Sequence, residues 1–273
     1  MLRLLHVSDL HFGCYSVRAQ VAGVERLIAE EKFNAIVISG DLTQRTRASE
    51  YAHARAFVEH ADGHAPVMVV PGNHDTAWWT APMGIGSVKA MHSRYRRYIA
   101  ADLEPVMRIP GATIVGLNSA HGVRLFTMTA RPRDISVVGA LRAEQWDAAQ
   151  EQFAAAPAGD LKVLVFHHNL LRGEISNRWG LSSRARGITK AAATGADLVL
   201  CGHDHQVDVE GLNMNGRRMV VACASTLTTR VRGGGPGSIN VIEVEDKTMQ
   251  VNVMQWHPET KKFERMVWSR FTR

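Results

Sequence analysis

The chain has 273 residues, of which 45% are hydrophobic and 21% charged, as is typical of a globular protein with a substantial core. Its formal net charge of +6 favours anionic partners such as phosphates, nucleic acid or acidic membrane surfaces. The three cysteines, Cys14, Cys201 and Cys223, cannot all pair and form no CxxC motif, so neither a disulfide framework nor a zinc finger is indicated. The start, MLRLLHVSDLHFG, is too short and too polar for a secretory or membrane segment, so we expect a cytoplasmic protein.

Strand and helix patterns alternate through the first half of the chain. The apolar runs LRLLHVS, NAIVISG and APVMVVPG predict three strands. Between them, VRAQVAGVERLIAEEKF and RASEYAHARAFVEHA predict two helices, and the first carries one apolar face formed by Val17, Val21, Val24, Leu27 and Ile28. This alternation is typical of strand-helix-strand units around a mostly buried sheet.

The rest of the chain adds strands, helices and two irregular basic inserts. The inserts lie near residues 76–100 and 170–187 and are rich in arginine and tryptophan, including Trp79 and Trp179. Strands are predicted at PVMRI, GATIVGLNS, LKVLVFHH, ADLVLCGHDH, VDVEG, RRMVVACAS, SINVIEVE and MQVNVMQW, and helices at GALRAEQWDAAQEQFAAA and ITKAAATG. Because the sequence shows no repeat and no linker, we predict one α/β domain over residues 1–273, a four-layer α/β/β/α sandwich of two mixed sheets flanked by helices.

Polar side chains cluster where the predicted strands end. In chain order the clusters are Asp9 and His11; Asp41; Asn73, His74 and Asp75; His167 and His168; and His203 and His205. Open α/β sheets assemble their sites at the carboxyl ends of the strands, so we expect these groups to converge. Carboxylate and amide oxygens with imidazole nitrogens match manganese, iron or zinc. The pattern predicts a pair of divalent metals, which would clamp the attacking and departing oxygens of a phosphoryl displacement.

Single members of these clusters also have purely structural explanations. Asn73 and Asp75 are common turn residues, and Asp9 and Asp41 alone could be helix N-caps. Strand alternation sends His168 to the face away from the proposed site. Asp41, however, is the lone carboxylate at its strand end and could bridge two ions through its two oxygens. The metal interpretation is favoured because the structural one requires five independent coincidences in the right order.

The ordered motifs resemble those of the calcineurin-like metallophosphoesterase superfamily. They are Asp9-x-His11, Gly40-Asp41, Gly72-Asn73-His74-Asp75, His167 and Gly202-His203-x-His205. The resemblance implies two divalent ions, manganese or iron or alternatively zinc. It places one ion among Asp9, His11, Asp41 and His205, and the other among Asp41, Asn73, His167 and His203. It further implies attack by a metal-bridging hydroxide, with His74 stabilising the transition state or protonating the leaving oxygen and Asp75 orienting His74.

Within that superfamily the sequence is most similar to the bacterial branch grouped with class III cyclic nucleotide phosphodiesterases. The resemblance implies two-metal hydrolysis of a phosphodiester, with a small or cyclic nucleotide-type substrate. Two other functions stay open. One is hydrolysis of the pyrophosphate in a UDP-linked lipid A precursor at a membrane surface, and the other is a non-catalytic metal-binding scaffold.

The basic inserts bear on the choice of partner. Their arginines could bind a substrate phosphate, and their tryptophans could stack on a base or sit at a lipid headgroup layer. A solvated basic rim is the alternative. Nucleic acid is disfavoured because no separate capping domain follows the strand-rich tail, whereas peripheral contact with an anionic membrane stays open. The sequence does not indicate an oligomeric state.

Overall fold

The computed structural model of the protein describes residues 1–80, 88–122, 137–173, 175, 180–214 and 216–272. In these residues, twelve strands form two six-stranded sheets. The first sheet has the order β12-β11-β10-β1-β2-β3. Its strands are β1 (Leu2–Val7), β2 (Ala35–Ile38), β3 (Val67–Val69), β10 (Ser238–Glu245), β11 (Thr248–His257) and β12 (Lys262–Thr272). Strands β1, β2 and β3 are parallel. On the other side of β1, strands β10, β11 and β12 follow in that order, and each runs antiparallel to the strand before it.

The second sheet has the order β4-β5-β6-β7-β9-β8. Its strands are β4 (Val106–Ile109), β5 (Ala112–Gly116), β6 (Leu161–His168), β7 (Leu198–Gly202), β8 (Asp208–Met214) and β9 (Arg217–Cys223). The inner four strands are parallel, and both edge strands run antiparallel to their neighbours. Both sheets are therefore mixed, as predicted.

Helices cover the outer faces of the two sheets. They are α1 (Arg18–Glu30), α2 (Ala48–Asp62), α3 (Val88–Met91), α4 (Ser93–Tyr98), α5 (Ala143–Ala154) and α6 (Arg184–Ala193). None of the helices within the described ranges combines the length and the apolar character needed to cross a bilayer.

Three hydrophobic cores separate the four layers. The core between the first sheet and α1 and α2 includes Leu5 and Val24. The core between the sheets includes Leu4 and Val163, and the core between the second sheet and α5 and α6 includes Trp146. Because the neighbours Leu4 and Leu5 face different cores, β1 is buried on both faces, which explains its nearly unbroken apolar run. The α/β/β/α sandwich of two mixed sheets is confirmed.

The last strand, β12, is absent from the predicted elements. Its sequence KFERMVWSRFT places charged residues among apolar ones, and the pairing register with β11 shifts beside Met266, which breaks the two-residue period. As the edge strand of the first sheet, β12 leaves Met266 and Val267 exposed. An edge strand with one bulge gives too weak an alternation to be recognised from sequence.

The two basic inserts are only partly described. Residues 81–87 of the first insert, and residues 174 and 176–179 of the second, which include Trp179, lie outside the described residues. In the first insert, α4 carries the buried Tyr95, whose hydroxyl donates a hydrogen bond to the Val69 carbonyl oxygen at 3.1 Å. This part of the insert is therefore packed against the first sheet.

The contact between α1 and β11 provides a test of this packing. A Cβ added at Gly23 would overlap the six-membered ring of Trp256, which is 4% exposed and packs against Phe263. We expect Gly23→Ala to lower the free energy of unfolding by up to about 2 kcal/mol, because overpacking costs about 1–3 kcal/mol and the better helix propensity returns about 1 kcal/mol. Denaturant unfolding measures the change. In the background of Trp256→Leu the cost should fall or reverse, and an equal cost in both backgrounds would contradict the contact.

Candidate metal centre

The loops that follow β1, β2 and β7 hold the predicted ligands in an uncommon backbone conformation. Positive φ angles occur at Asp9 (54°), His11 (43°), Asp41 (53°), His203 (76°) and His205 (56°). These are five of the nine non-glycine residues with positive φ in the described part of the chain. A left-handed conformation costs such a residue about 1–2 kcal/mol, and strain of this kind concentrates at functional sites.

One group of side chains brings together Asp9, His11 and His205. Oδ1 of Asp9 lies 3.4 Å from Nε2 of His11 and 3.2 Å from Nε2 of His205. The two Nε2 atoms are 3.0 Å apart. Asp9 and His11 are buried, and the His205 side chain is 12% exposed. The group is thus compact, nearly closed to solvent and composed of oxygen and nitrogen ligands.

A second group brings together Asn73, His167 and His203. Nδ1 of His203 lies 3.0 Å from Oδ1 of Asn73 and 3.3 Å from Nε2 of His167. His167 is fully buried, whereas Asn73 and His203 are partly exposed. This half of the site is therefore more open than the first.

Asp41 lies between the two groups. Its Oδ2 is 3.5 Å from Nε2 of His11 and 3.3 Å from Nε2 of His167. Its Oδ1 instead accepts a hydrogen bond from the backbone N–H of His74 at 2.8 Å. We expected both oxygens to face the ions, but only Oδ2 faces both groups, because the turn after β3 uses the other oxygen.

The donor set fits divalent cations. As in Asp41, one oxygen of the Asp9 carboxylate is used by the protein. Oδ2 of Asp9 accepts hydrogen bonds from the Ser8 hydroxyl at 2.6 Å and from the His203 backbone N–H at 2.9 Å. Oδ1 of Asp9 is buried and lacks a hydrogen bond within the described structure. Nδ1 of His167 lies 2.8 Å from the Ser39 carbonyl oxygen, to which it donates. That bond leaves Nε2 as the basic nitrogen toward the centre.

Burial and charge polarise the site in the absence of cations. Burial alone would lower the pKa of His167, but the Asp41 carboxylate beside it raises this pKa to about 10. Burial alone would raise the pKa of Asp41, but the imidazoles of His167 and His74 hold it well below its usual range. Burial, together with the charge of His167, lowers the pKa of His203 to about 3. A proton on His167 compensates the carboxylate, as a bound cation would.

His74 lies at the edge of the centre, with its ring centroid 4.8 Å from that of His11. Its Nδ1 donates a hydrogen bond to the backbone carbonyl oxygen of Gln44 at 2.9 Å. Nε2 is therefore left to exchange a proton on the side of the centre. Gln44 was not predicted, because a backbone carbonyl leaves no signal in the sequence.

The hydrogen bonds of the Asp75 carboxylate in the described structure go to the backbone and not to the His74 ring. Its carboxylate accepts hydrogen bonds from the backbone N–H groups of Leu42, Thr43 and Gly72 at 3.1, 2.8 and 3.0 Å. Burial and the charge of Asp41 raise the pKa of Asp75 to about 6 against these bonds. Asp75 thus ties the turn after β3 to the loop after β2, whereas the sequence suggested only a residue of the turn itself.

Comparisons with known proteins agree with this geometry. The sequence pattern of the family described as calcineurin-like phosphoesterase matches residues 2–207. The chain belongs to the calcineurin-like phosphoesterase family. No curated protein matches the chain.

Two solved structures share the fold of this phosphoesterase family member. A purple acid phosphatase from yellow lupin (Lupinus luteus) seeds matches with a TM-score of 0.72 and 9% identity, over 100% of this chain and 54% of the phosphatase chain. The anchor protein GAP50 from the inner membrane complex of Plasmodium matches with a TM-score of 0.61 and 14% identity, over 99% of this chain and 88% of that chain. The chain therefore spans about half the length of the lupin protein.

Another histidine lies beside the family's site in an unexpected position. The ladder between β6 and β7 is irregular between Val165 and His168, so strand alternation does not carry His168 away from the centre. Its ring centroid is 4.6 Å from that of His203, and its Nδ1 lies 2.8 Å from the Ser119 hydroxyl. His168 packs against a predicted ligand, contrary to our expectation, because the bulge turns its side chain.

Two glycines of the family motifs permit the close approach of these loops. A Cβ at Gly72 would overlap Oδ1 and the backbone nitrogen of Asp41. A Cβ at Gly202 would overlap the Ser8 hydroxyl and Oδ2 of Asp9. Each glycine is therefore required by the carboxylate that packs on it.

Gly72→Ala tests whether this packing positions the ligands. We expect Mn²⁺ affinity to fall at least about tenfold, because losing the contacts that orient a ligand typically costs about 10–100-fold in metal affinity. Titration calorimetry measures the affinity, and circular dichroism should show a folded protein. Gly63→Ala is the matched control, since Gly63 has an ordinary φ of −65° and no neighbour within 3.2 Å of the added Cβ. Equal affinities in wild type and Gly72→Ala would contradict the proposed packing.

Proposed function

We propose that the protein hydrolyses a phosphodiester in a reaction that depends on two divalent cations. The ligands are those implied by the family resemblance, Asp9, His11, Asp41, Asn73, His167, His203 and His205. The observation that supports the proposal most strongly is the shared Oδ2 of Asp41, which lies 3.5 Å from His11 and 3.3 Å from His167 and so joins the two groups. Divalent cations in such a site supply Lewis acidity and positive charge toward phosphate oxygens.

The chain's own groups have distinct tasks in this proposal. The two buried carboxylates stay ionised, because the surrounding imidazoles lower their pKa values, and this negative charge attracts cations. His74 acts on the leaving oxygen. The Gln44 carbonyl oxygen fixes its Nδ1 proton, and Nε2 delivers a proton as the ester bond breaks. Because the Asp41 Oδ1 also binds the His74 N–H, the acid and the bridging carboxylate are held by one turn.

A small phosphodiester of the cyclic nucleotide type is the preferred substrate. This choice rests on the likeness of the five motif blocks to the class III phosphodiesterases. The metals preferred on chemical grounds are manganese or iron, since carboxylate, amide and imidazole groups form a borderline-hard donor set.

One observation favours a second candidate, the pyrophosphate of a lipid-linked nucleotide at a membrane surface. The two basic inserts expose large apolar side chains, Trp79 at 53% and Ile175 at 59%. Exposed tryptophan and aliphatic side chains beside arginines match a headgroup layer. Its hydrolysis would break the P–O–P anhydride bond of the pyrophosphate, and the same two-cation site would supply Lewis acidity toward the phosphate oxygens.

His74→Ala tests the assignment of the acid. We expect kcat on an aryl phosphodiester with Mn²⁺ to fall by about 10²–10⁴-fold, because general acid catalysis contributes that much. Mn²⁺ affinity should stay near the wild-type value. His64→Ala, in the exposed turn after α2, should behave as wild type. Absence of turnover in the wild type under every divalent ion tested, with metal bound, would instead support the non-catalytic scaffold.

Vesicle binding separates the two substrate candidates. If the lipid-linked substrate is correct, the protein should co-sediment with anionic phosphatidylglycerol vesicles, and Trp79→Ser with Ile175→Ser should release it, because apolar side chains add binding free energy at a headgroup layer. Neutral phosphatidylcholine vesicles are the control. Indifference to both vesicle types would leave the small phosphodiester as the substrate.

A further inference from the structure

A large cavity lies beside the candidate centre and is not explained by the metal ligands. It has a volume of about 800 Å³ and is formed by the loops after β1 and β2 and by the first turns of α1 and α2. Its walls include Phe12, Gln44, Arg45 and His53. A volume of this size accommodates a nucleotide-sized group.

The cavity adjoins the proposed acid. Gln44 lines it, and the carbonyl oxygen of the same residue accepts the Nδ1–H of His74 at 2.9 Å. On the other side, Phe12 lines it and directly follows the predicted ligand His11. The cavity therefore lies on the Nδ1 side of the His74 ring, and a leaving group whose oxygen meets Nε2 would enter it by extending past the ring.

Three arginines give the cavity wall its positive charge. Arg18, Arg45 and Arg47 line it, and within the described chain no acidic side chain lies within ion-pair distance of their guanidinium groups. Glu50 is also in the wall, but its Oε2 already accepts the backbone N–H groups of Arg45 at 2.7 Å and Arg47 at 3.2 Å. Glu25 is the other acid in the wall, so three cations face two carboxylates.

Further polar groups point to an anion. Helix α1 has no side-chain cap and no acidic residue in its first turn, so the positive end of its dipole is uncompensated where Arg18 meets the cavity. Two wall residues carry buried atoms that form no hydrogen bond in the described structure, the Ser16 hydroxyl oxygen and Oε1 of Gln44, which is only 7% exposed. Of these two groups only the Ser16 hydroxyl can donate a hydrogen bond to an anion, since Oε1 of Gln44 is an acceptor and the amide nitrogen of Gln44 lies 3.3 Å from Nδ1 of His74.

The remaining wall suits a planar group. The rings of Phe12 and His53 are 6.2 Å apart and inclined by 36°, and Val21 and Ala22 continue the apolar side. An aromatic or heterocyclic ring can pack there while an attached anion reaches the arginines.

We propose that this cavity binds the leaving group of the substrate, and that this group is planar and carries a second anionic substituent such as a phosphate or carboxylate. The inference rests on the proposed function, because it assigns the leaving side from His74. It narrows the substrate class from phosphodiesters in general to those whose leaving group is itself negatively charged.

Two matched substrates test the proposal, methyl para-nitrophenyl phosphate and methyl para-carboxyphenyl phosphate. We expect the double variant Arg45→Ala and Arg47→Ala to lower kcat/KM for the carboxyphenyl ester by about tenfold or more, and that for the nitrophenyl ester by less than about twofold, because a charged hydrogen bond to the leaving group is lost only in the first case. Arg55→Ala, an exposed arginine of α2 paired with Glu59, should change neither value. Equal losses on both esters, or no loss on either, would overturn the proposal.

A binding measurement separates this proposal from the proposed function. Calorimetric titration of inorganic pyrophosphate into the full chain after removal of metal reports on the arginines alone. We expect binding in the wild type and in Arg55→Ala, and affinity at least about tenfold weaker in the double variant. Arginine-dependent binding without hydrolysis of either ester would support the anion site and contradict the hydrolytic function. If pyrophosphate does not bind, or binds equally well to the double variant, the proposed anion site is contradicted even if both esters are cleaved.

Discussion

The site depends on one shared carboxylate. Asp41 adopts a positive φ of 53°, directly after Gly40 with a φ of 96°, so the chain leaves β2 in a conformation that most residues avoid. One oxygen of Asp41 then faces both groups of predicted ligands, and the other holds the turn that carries His74. The close packing of Gly72 on that carboxylate fixes the distance between the loops after β2 and β3. Two loops and both halves of the centre are therefore positioned through a single side chain.

The residues of this site carry electrostatic and conformational costs in free energy. The buried Asp41 carboxylate is stabilised by a proton on His167, whose pKa it raises to about 10, and by the backbone N–H of His74. The left-handed backbone at the ligands costs further free energy. Three hydrophobic cores compensate, and two of them lie directly beneath the loops, because β1 and β2 are buried on both faces. The hydrophobic cores therefore keep the loops of the centre in a geometry that the loops alone would not adopt.

The sequence predicts the features that depend on period and position. The apolar runs define the sandwich, and ligands that directly follow strands, such as Asp9 and His203, converge because parallel strands end at the same edge. Features that depend on three-dimensional contact were not predictable. The partner of His74 is a backbone carbonyl, Asp75 serves backbone N–H groups, and His168 is turned by a bulge. Each of these depends on a backbone contact or on an irregular strand pairing, and residue type encodes neither.

The sequence suggested that arginines of the basic inserts bind the substrate. In the structure, arginines of the first insert and arginines of the loops have different roles from the ones suggested. Arginines of the first insert serve the chain itself, since Arg94 donates to the Thr46 carbonyl oxygen at 2.6 Å and Arg96 to that of Ala101 at 2.8 Å. The arginines that line the cavity lie instead in or beside the loops after β1 and β2 and include Arg45. Because Arg94 supports the loop beside Arg45, the insert contributes to the cavity through its shape. Selectivity for the leaving group would then be set by the same loop that holds the Asp41 carboxylate, so that substrate choice and metal binding constrain each other.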